Sequence, residues 1–102
     1  MVDNTSQIKE ELDKKIARAL EAVGDTAEAY AKELCPVDTG RLRDSITHSV
    51  DDNTVYLSSD VEYAPYVEFG TYKQKPQPFM GPAMQDHLDE YKAILEDFLK
   101  TE

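Results

Sequence analysis

Apolar residues recur at steps of three and four through the first third of the chain. The positions concerned are Ile8, Leu12, Ile16, Ala19, Leu20, Val23, Ala27, Tyr30, Ala31 and Leu34. This spacing predicts an amphipathic α-helix, which Thr5 or Ser6 can cap and which Pro36 ends by removing a backbone donor. Gly24 costs a helix about 1 kcal/mol, but the apolar register continues across it. The pattern therefore predicts one long helix with a kink at Gly24.

The predicted helix is longer than the width of a compact domain of this size. A helix of about 28 residues extends about 42 Å, whereas a compact domain of about 100 residues is only roughly 35 Å across. One end of the helix is therefore expected to project from the domain or to meet a neighbouring subunit. This is a first physical indication of an oligomer.

Two stretches with alternating side chains follow, at residues 45–50 and 54–58. One face of this pair is expected to carry Ile46, His48, Val50, Val55 and Leu57. Residues 51–53 are Asp-Asp-Asn, types that tolerate turn geometry, so the two stretches predict a β-hairpin. A lone hairpin is only marginally stable. We expect both the N-terminal and the C-terminal helix of the chain, a further strand or a neighbour's strand to cover it.

The last third of the chain predicts a short helix, a loop and a final helix. Pro65 suits the start of a one- to two-turn helix within residues 63–70, and Gly70 suits its end. Three prolines keep residues 73–82 extended. The final apolar stripe consists of Met84, Leu88, Tyr91, Ile94, Leu95, Phe98 and Leu99, and it predicts a helix from Pro82 nearly to Lys100. The elements together predict an α+β fold in one domain over residues 1–102.

Charge narrows the possible partners. The 102 residues include 21 acidic and 11 basic side chains, a net charge of −10, which argues against binding nucleic acid through phosphate neutralisation. Residues 44–68 hold six carboxylates and no Lys or Arg. Such a run usually forms a solvated face. A basic partner, or DNA that slides past without sticking, fits this charge better.

The cellular setting is expected to be reducing and non-membrane. A single cysteine, Cys35, excludes an intrachain disulfide and fits a reducing compartment. No charged and then apolar leader opens the chain, and no apolar run approaches the roughly 20 residues that span a bilayer. We therefore expect a soluble, non-secreted protein.

Residues that could carry chemistry are sparse. His48 and His87 stand alone and Cys35 has no nearby thiol, so no zinc spacing is present. Cys35 lies at a predicted helix end, where the dipole raises a thiol pKa. Residues 51–53 lack the rest of a calcium loop, and no Gly-rich phosphate motif occurs. We expect no catalytic, cofactor-binding or metal-binding residues.

Two features allow either a structural or a partner-binding interpretation. Arg41 and Arg43 are the only Lys or Arg residues between positions 32 and 73, and pairing with Glu62 or Glu68 would stabilise the fold locally or serve a subunit interface. The candidate docking residues are Pro78, Phe79, Met80 and Pro82. Phe79 and Met80 either dock onto a partner from a Pro-stiffened loop or pack under the C-terminal helix.

Three ordered segments carry a family resemblance: residues 36–46 (PVDTGRLRDSI), 63–71 (YAPYVEFGT) and 77–83 (QPFMGPA). Together they resemble the gene-10-like tail-component family of long-tailed bacteriophages and prophages. These are small neck proteins, also described as tail-completion or head–tail joining proteins. The matching positions are Asp38, Thr39, Gly40, Leu42, Arg43, Tyr63, Tyr66, Glu68, Phe69, Gly70, Pro78, Phe79, Pro82 and Ala83.

The resemblance implies an α+β structural protein of the virion, assembled in the host cytoplasm. It implies self-association, commonly as a ring and for example a hexamer, where the tail joins the capsid. Implied partners are the connector, the tail terminator and tail-tube proteins, with no membrane and no specific nucleic acid. DNA would pass through the assembled channel, where the carboxylates of residues 44–68 would repel it.

Two other classes of function compete with an assembly role. An acidic regulatory or inhibitory protein-binding module, such as a DNA mimic, is favoured by the net charge of −10 but disfavoured by Lys and Arg scattered through both long helices. A small enzyme is disfavoured because no nucleophile and base, and no metal set, can be identified.

Overall fold

A computed structural model describes residues 4–36 and 40–100. Its first element, α1, spans Asn4–Leu34 without interruption, which confirms the prediction of one helix rather than two. With 31 residues it is about 46 Å long. The motif residues Asp38 and Thr39 lie outside the described residues.

The first half of α1 projects from the rest of the molecule. No side chain in residues 5–18 is buried, and Ala19 is the first that is. The molecule measures 67 × 24 × 22 Å with a radius of gyration of 17.3 Å, against about 13 Å for a compact chain of 100 residues. The predicted projection is confirmed, and we call residues 5–18 the α1 arm.

A short helix that the sequence pattern did not predict follows. Helix α2 spans Arg41–Ser45 and begins after Gly40, which has a left-handed backbone with φ 82°. Ser45 donates a hydrogen bond from Oγ to the Leu42 carbonyl. The predicted strand over residues 45–50 therefore starts too early, because Ser45 still belongs to this helical turn.

The predicted hairpin is confirmed. Strand β1 spans Thr47–Asp51 and pairs antiparallel with β2, Thr54–Ser58, with Thr47 opposite Ser58. Asp52 and Asn53 adopt positive φ angles of 50° and 57°, the geometry of a two-residue type I′ turn. Within the described residues the sheet has only these two strands.

The inward face of the hairpin packs on α1. Its partly buried residues are His48, Val50, Val55 and Leu57, and they alternate with exposed ones. Both strands contact α1. Tyr91 of the C-terminal helix also shares a cluster with Val55 and Leu57, so both long helices cover the hairpin.

Helix α3, Ala64–Phe69, agrees with the predicted short helix. Pro65 lies in its first turn, and Gly70 follows its end with φ 76°. A Cβ on Gly70 would come within 2.7 Å of the Pro76 nitrogen and 2.8 Å of the Gln74 carbonyl oxygen. Both the backbone angle and the lack of space thus require glycine here.

The C-terminal helix of the predicted α+β fold is present, but it is interrupted and does not begin at Pro82. The structure has two helices, α4 at Met80–Gln85 and α5 at Leu88–Leu99, so that Pro82 is not the first helical residue. Between them His87 leaves helical geometry, with φ −123° and ψ 26°, and its ring stacks on Tyr30 with the centroids 3.6 Å apart. Apolar spacing along the chain does not reveal this stacking contact. Leu88, the first residue of α5, is 63% exposed although it belongs to the predicted apolar stripe.

The core forms two clusters that share partly buried Tyr30 and Leu57. The buried residues of the larger cluster are Ala31, Cys35, Leu42, Ile46, Val61, Ala64, Phe79 and Ala83. The smaller cluster contains Val23, Ala27 and Tyr91. Among the described residues no helix has the length and apolarity needed to cross a membrane.

Burial of Phe79 favours the second of the two interpretations left open by the sequence, packing in its own core. The side chain has 0% exposure and is one of the two largest fully buried side chains of the described chain. Met80 is partly buried against the same cluster. Because burying an aromatic ring is strongly favourable, Phe79 packs in its own core instead of presenting itself to a partner.

Phe79→Ala is expected to lower the free energy of unfolding by about 3–5 kcal/mol, because it leaves a cavity in the larger cluster. The matched control is Tyr72→Ala, since Tyr72 is 93% exposed and its loss should change stability by only about 0.5 kcal/mol. Urea denaturation of both variants measures the difference. Similar small effects would contradict the core assignment of Phe79.

Candidate functional site

The first motif segment forms the turn from α1 into the hairpin. Gly40 and Leu42 are buried, while Arg43 is partly buried and lies 3.5 Å from a carboxylate oxygen of Asp44. Arg41 makes the expected ion pair with Glu62, with its two terminal nitrogens 3.3 and 2.9 Å from the two carboxylate oxygens. This pair is exposed, so it contributes little to stability.

The second motif segment presents aromatic side chains on α3 and just before it. Tyr63 packs partly against the larger cluster, and the Arg41 guanidinium lies 5.4 Å from its ring centroid. Tyr66 is 58% exposed and Phe69 is 77% exposed. Exposed aromatic rings are enriched at protein interfaces, so α3 is a candidate contact element.

Glu68 joins the second motif segment to the third. Its Oε1 accepts hydrogen bonds from the backbone N–H groups of Phe79 and Met80 at 3.0 and 2.9 Å, and its Oε2 accepts one from Gly81 at 3.0 Å. These donors open α4, whose first N–H groups have no partner within the helix. Burial acts to raise the pKa of Glu68, but the three backbone donors outweigh it and hold the pKa below its ordinary value.

The sequence did not predict this role of Glu68, for which an arginine partner was one expectation. The bonded backbone groups are 11 to 13 residues away in the chain, a separation without a periodic signal. The N-cap residue of α4, Phe79, provides no side-chain hydrogen bond of its own, and this need for a distant cap is visible only once the helix start is known. A second link between the segments is the hydrogen bond from the Gln77 N–H to the Val67 carbonyl, at 2.8 Å.

The third motif segment is partly exposed and partly core. Phe79 and Ala83 are buried, Met80 and Pro82 are partly buried, and Pro78 is exposed. The predicted docking residues thus divide: Phe79 forms the floor of a groove, and any contact of Pro78, Met80 or Pro82 with a partner stays a prediction.

A groove of about 570 Å³ lies where the second and third segments meet. We call it the α3 groove, and its apolar lining includes Leu57, Val61, Ala64, Phe69, Phe79 and Met80. Asp60 and Glu62 also line it. An apolar floor with a carboxylate rim is suited to an amphipathic segment that carries cations.

A second constellation surrounds His48, which sequence reasoning treated as an isolated histidine. Its Nδ1 lies 2.9 Å from Glu28, and its Nε2 lies 3.0 Å from Glu21 and 3.5 Å from Asp25. All three carboxylates belong to α1. Because both ring nitrogens face carboxylate oxygens, the doubly protonated imidazolium can donate on both sides.

Gly24 makes this contact possible. A Cβ at Gly24 would lie 2.3 Å from Cδ2 of His48, so only glycine lets β1 approach α1 at this point. The predicted kink at Gly24 stays a prediction, but the close approach explains the glycine. A useful signal existed: Glu21, Asp25 and Glu28 surround Gly24 at helical spacing, and His48 is on the inward face of the hairpin.

Electrostatics favour the charged form of His48. Burial acts to lower its pKa, but hydrogen bonds with Glu28 and Glu21 and the charge of Asp25 outweigh this, so the pKa of His48 is raised. Glu28 accepts hydrogen bonds from His48 and Lys32, and both lower its pKa. The cluster therefore ties the hairpin to α1 through charge.

Other reactive residue types do not form a site in the described part of the chain. Cys35 is buried, burial raises the pKa of its thiol, and the Sγ lies 3.4 Å from the Pro36 carbonyl oxygen. Residues 4–36 and 40–100 contain no group of three or more His, Cys, Asp or Glu that could hold a metal ion.

Replacing His48 by Gln is expected to cost stability in a pH-dependent manner. Because the folded pKa of His48 is raised, its stabilisation is full below the ordinary value of about 6.5 and is lost as pH rises through the folded value. Urea denaturation of wild type and His48→Gln should thus show a larger difference at about pH 6 than at about pH 9. Glu28→Gln should weaken this dependence, and a difference that does not vary with pH would contradict the ion cluster.

Glu68→Gln is expected to reduce the free energy of unfolding by about 1.5–3 kcal/mol at neutral pH, since hydrogen bonds to a charged acceptor are lost. Because the pKa of Glu68 is lowered, the difference should shrink as acid protonates the wild-type carboxylate. Glu62→Gln is the control and should have a smaller effect, because its pair with Arg41 is exposed. Equal effects of the two substitutions would refute the capping role of Glu68.

Comparison with known proteins gives one family. A family model described as "Bacteriophage HK97-gp10, putative tail-component" matches residues 1–70. The match includes the first motif segment and nearly all of the second, while the third lies beyond it. No curated protein and no solved structure shows a significant match. Since the matched residues make up more than half of the chain, the protein belongs to the HK97 gp10-like family of phage tail components.

Proposed function

We propose that this tail-component protein is a structural assembly protein of the phage head–tail junction, acting in tail completion or head–tail joining. The observation that carries the proposal is the α1 arm, which projects from the core with Ile8 64% and Leu12 48% exposed. A helix that extends beyond its own core gains apolar contacts only from another molecule. Self-association, for example as a hexameric ring, gives the arm such a contact.

Other exposed residues are proposed to contact the rest of the assembly. The connector, the tail terminator or tail-tube proteins are the proposed neighbours, contacted through exposed residues of the third segment such as Pro78. Asp51 and Asp52 at the exposed hairpin tip would face the channel and repel passing DNA. Glu68 would not line the channel, because its oxygens accept hydrogen bonds from the backbone N–H groups at the start of α4.

Light scattering coupled to size-exclusion chromatography tests self-association. The chain of 11.5 kDa is expected to elute as an oligomer at high concentration, alone or together with tail-tube or connector protein. A monomer under all these conditions would contradict the proposed assembly role.

Deletion of the gene from the phage or prophage that carries it tests the place in assembly. We expect filled heads and tails that fail to join, or tails left unfinished, as seen by electron microscopy. Supplying the chain in trans should restore joined particles. Normal infectious particles from the deletion would exclude an essential role at the junction.

A further inference from the structure

Two surfaces of the described chain lack a counterpart in the same molecule. One is the α1 arm, where Ile8 and Leu12 are exposed one helical turn apart. The other is the α3 groove, whose rim residue Phe69 is 77% exposed. One surface is a convex helix and the other is a concave apolar groove, so their shapes are compatible.

Charge distinguishes the same two surfaces. The α1 arm holds four of the 11 basic residues, Lys9, Lys14, Lys15 and Arg18, against three acidic ones, Glu10, Glu11 and Asp13. Three carboxylates, those of Asp60, Glu62 and Glu68, line the groove, and no Lys or Arg does. Opposite charges would therefore meet if the arm docked in the groove. Pairing arm with arm would bring together two segments with the same positive excess.

The two surfaces cannot meet within one copy. The floor of the groove belongs to the cluster that includes Ala31 and Cys35 at the far end of α1. Leu12 and Ala31 are separated by about 28 Å along a continuous helix. An α1 arm that occupies the groove must therefore belong to another molecule.

We infer that the α1 arm of one copy docks in the α3 groove of a second copy, with Ile8 and Leu12 against Ala64 and Phe69. The inference rests on the proposed self-association and specifies its interface. Such a contact is head-to-tail: each docking event leaves one arm and one groove available. Repetition of this contact closes into a ring when the rotation between copies permits.

Two variants test the interface by complementation. The arm variant carries Ile8→Asp and Leu12→Asp, and the groove variant carries Phe69→Asp; all three residues are exposed, so the fold should be retained. The matched controls are Leu88→Asp, at 63% exposure, and Tyr72→Asp, at 93% exposure. Circular dichroism and light scattering are measured for each variant and for an equimolar mixture of arm and groove variants.

Each interface variant is expected to lose the oligomer, and the controls should keep it. The mixture should form a 1:1 dimer and no larger species, because one intact arm and one intact groove remain between the two variants. A groove variant that still assembles, or a mixture that stays monomeric, overturns the inference while the proposed function stands. A wild-type chain that is monomeric alone overturns the inference, and one that also stays monomeric with tail-tube or connector protein overturns both.

Discussion

Small side chains along the second half of α1 set the distance at which the hairpin, α4 and α5 can pack. Ala19, Ala27 and Ala31 have no exposed surface, and Gly24 lies against the ring of His48. Close approach of the hairpin and α5 to this stripe buries Tyr91 and half-buries the inward face of the strands. Because interiors are close-packed, a larger residue in this stripe would displace the elements that the stripe supports.

Charged residues act at the edges of this core and not inside it. No polar or charged side chain among the described residues is buried. Instead, Glu68 satisfies the start of α4 and three carboxylates of α1 surround His48. Both arrangements connect segments that are distant in sequence, so they fix how the elements are oriented without burying an unpaired charge.

Local patterns predicted the elements whose formation depends on neighbouring residues. Apolar spacing gave α1, alternation gave the hairpin face, and Pro65 with Gly70 marked α3. The same patterns failed where contacts between distant residues decide: His87 interrupts the C-terminal helix in stacking on Tyr30, and α2 is too short to show a period. Periodicity reports which residues are on one side of an element but not what packs against that side.

The candidate surfaces were only partly predictable for the same reason. The Arg41 and Glu62 pair was expected from the scarcity of cations around it. Whether Phe79 would be core or contact residue depended on the position of α3 relative to α4, which Glu68 fixes through backbone hydrogen bonds. The sequence contains Glu68 but no local signal for the backbone N–H groups from which its oxygens accept hydrogen bonds.

Continuity of α1 from core to arm has a mechanical consequence. A helix without a break transmits orientation, so the direction in which residues 5–18 point is determined by how residues 19–34 pack. The arm behaves as a rigid lever whose pivot is the core. If copies assemble through the arm as proposed, the angle between successive copies depends on alanine and glycine contacts far from the interface, and substitution of one core residue would alter that angle.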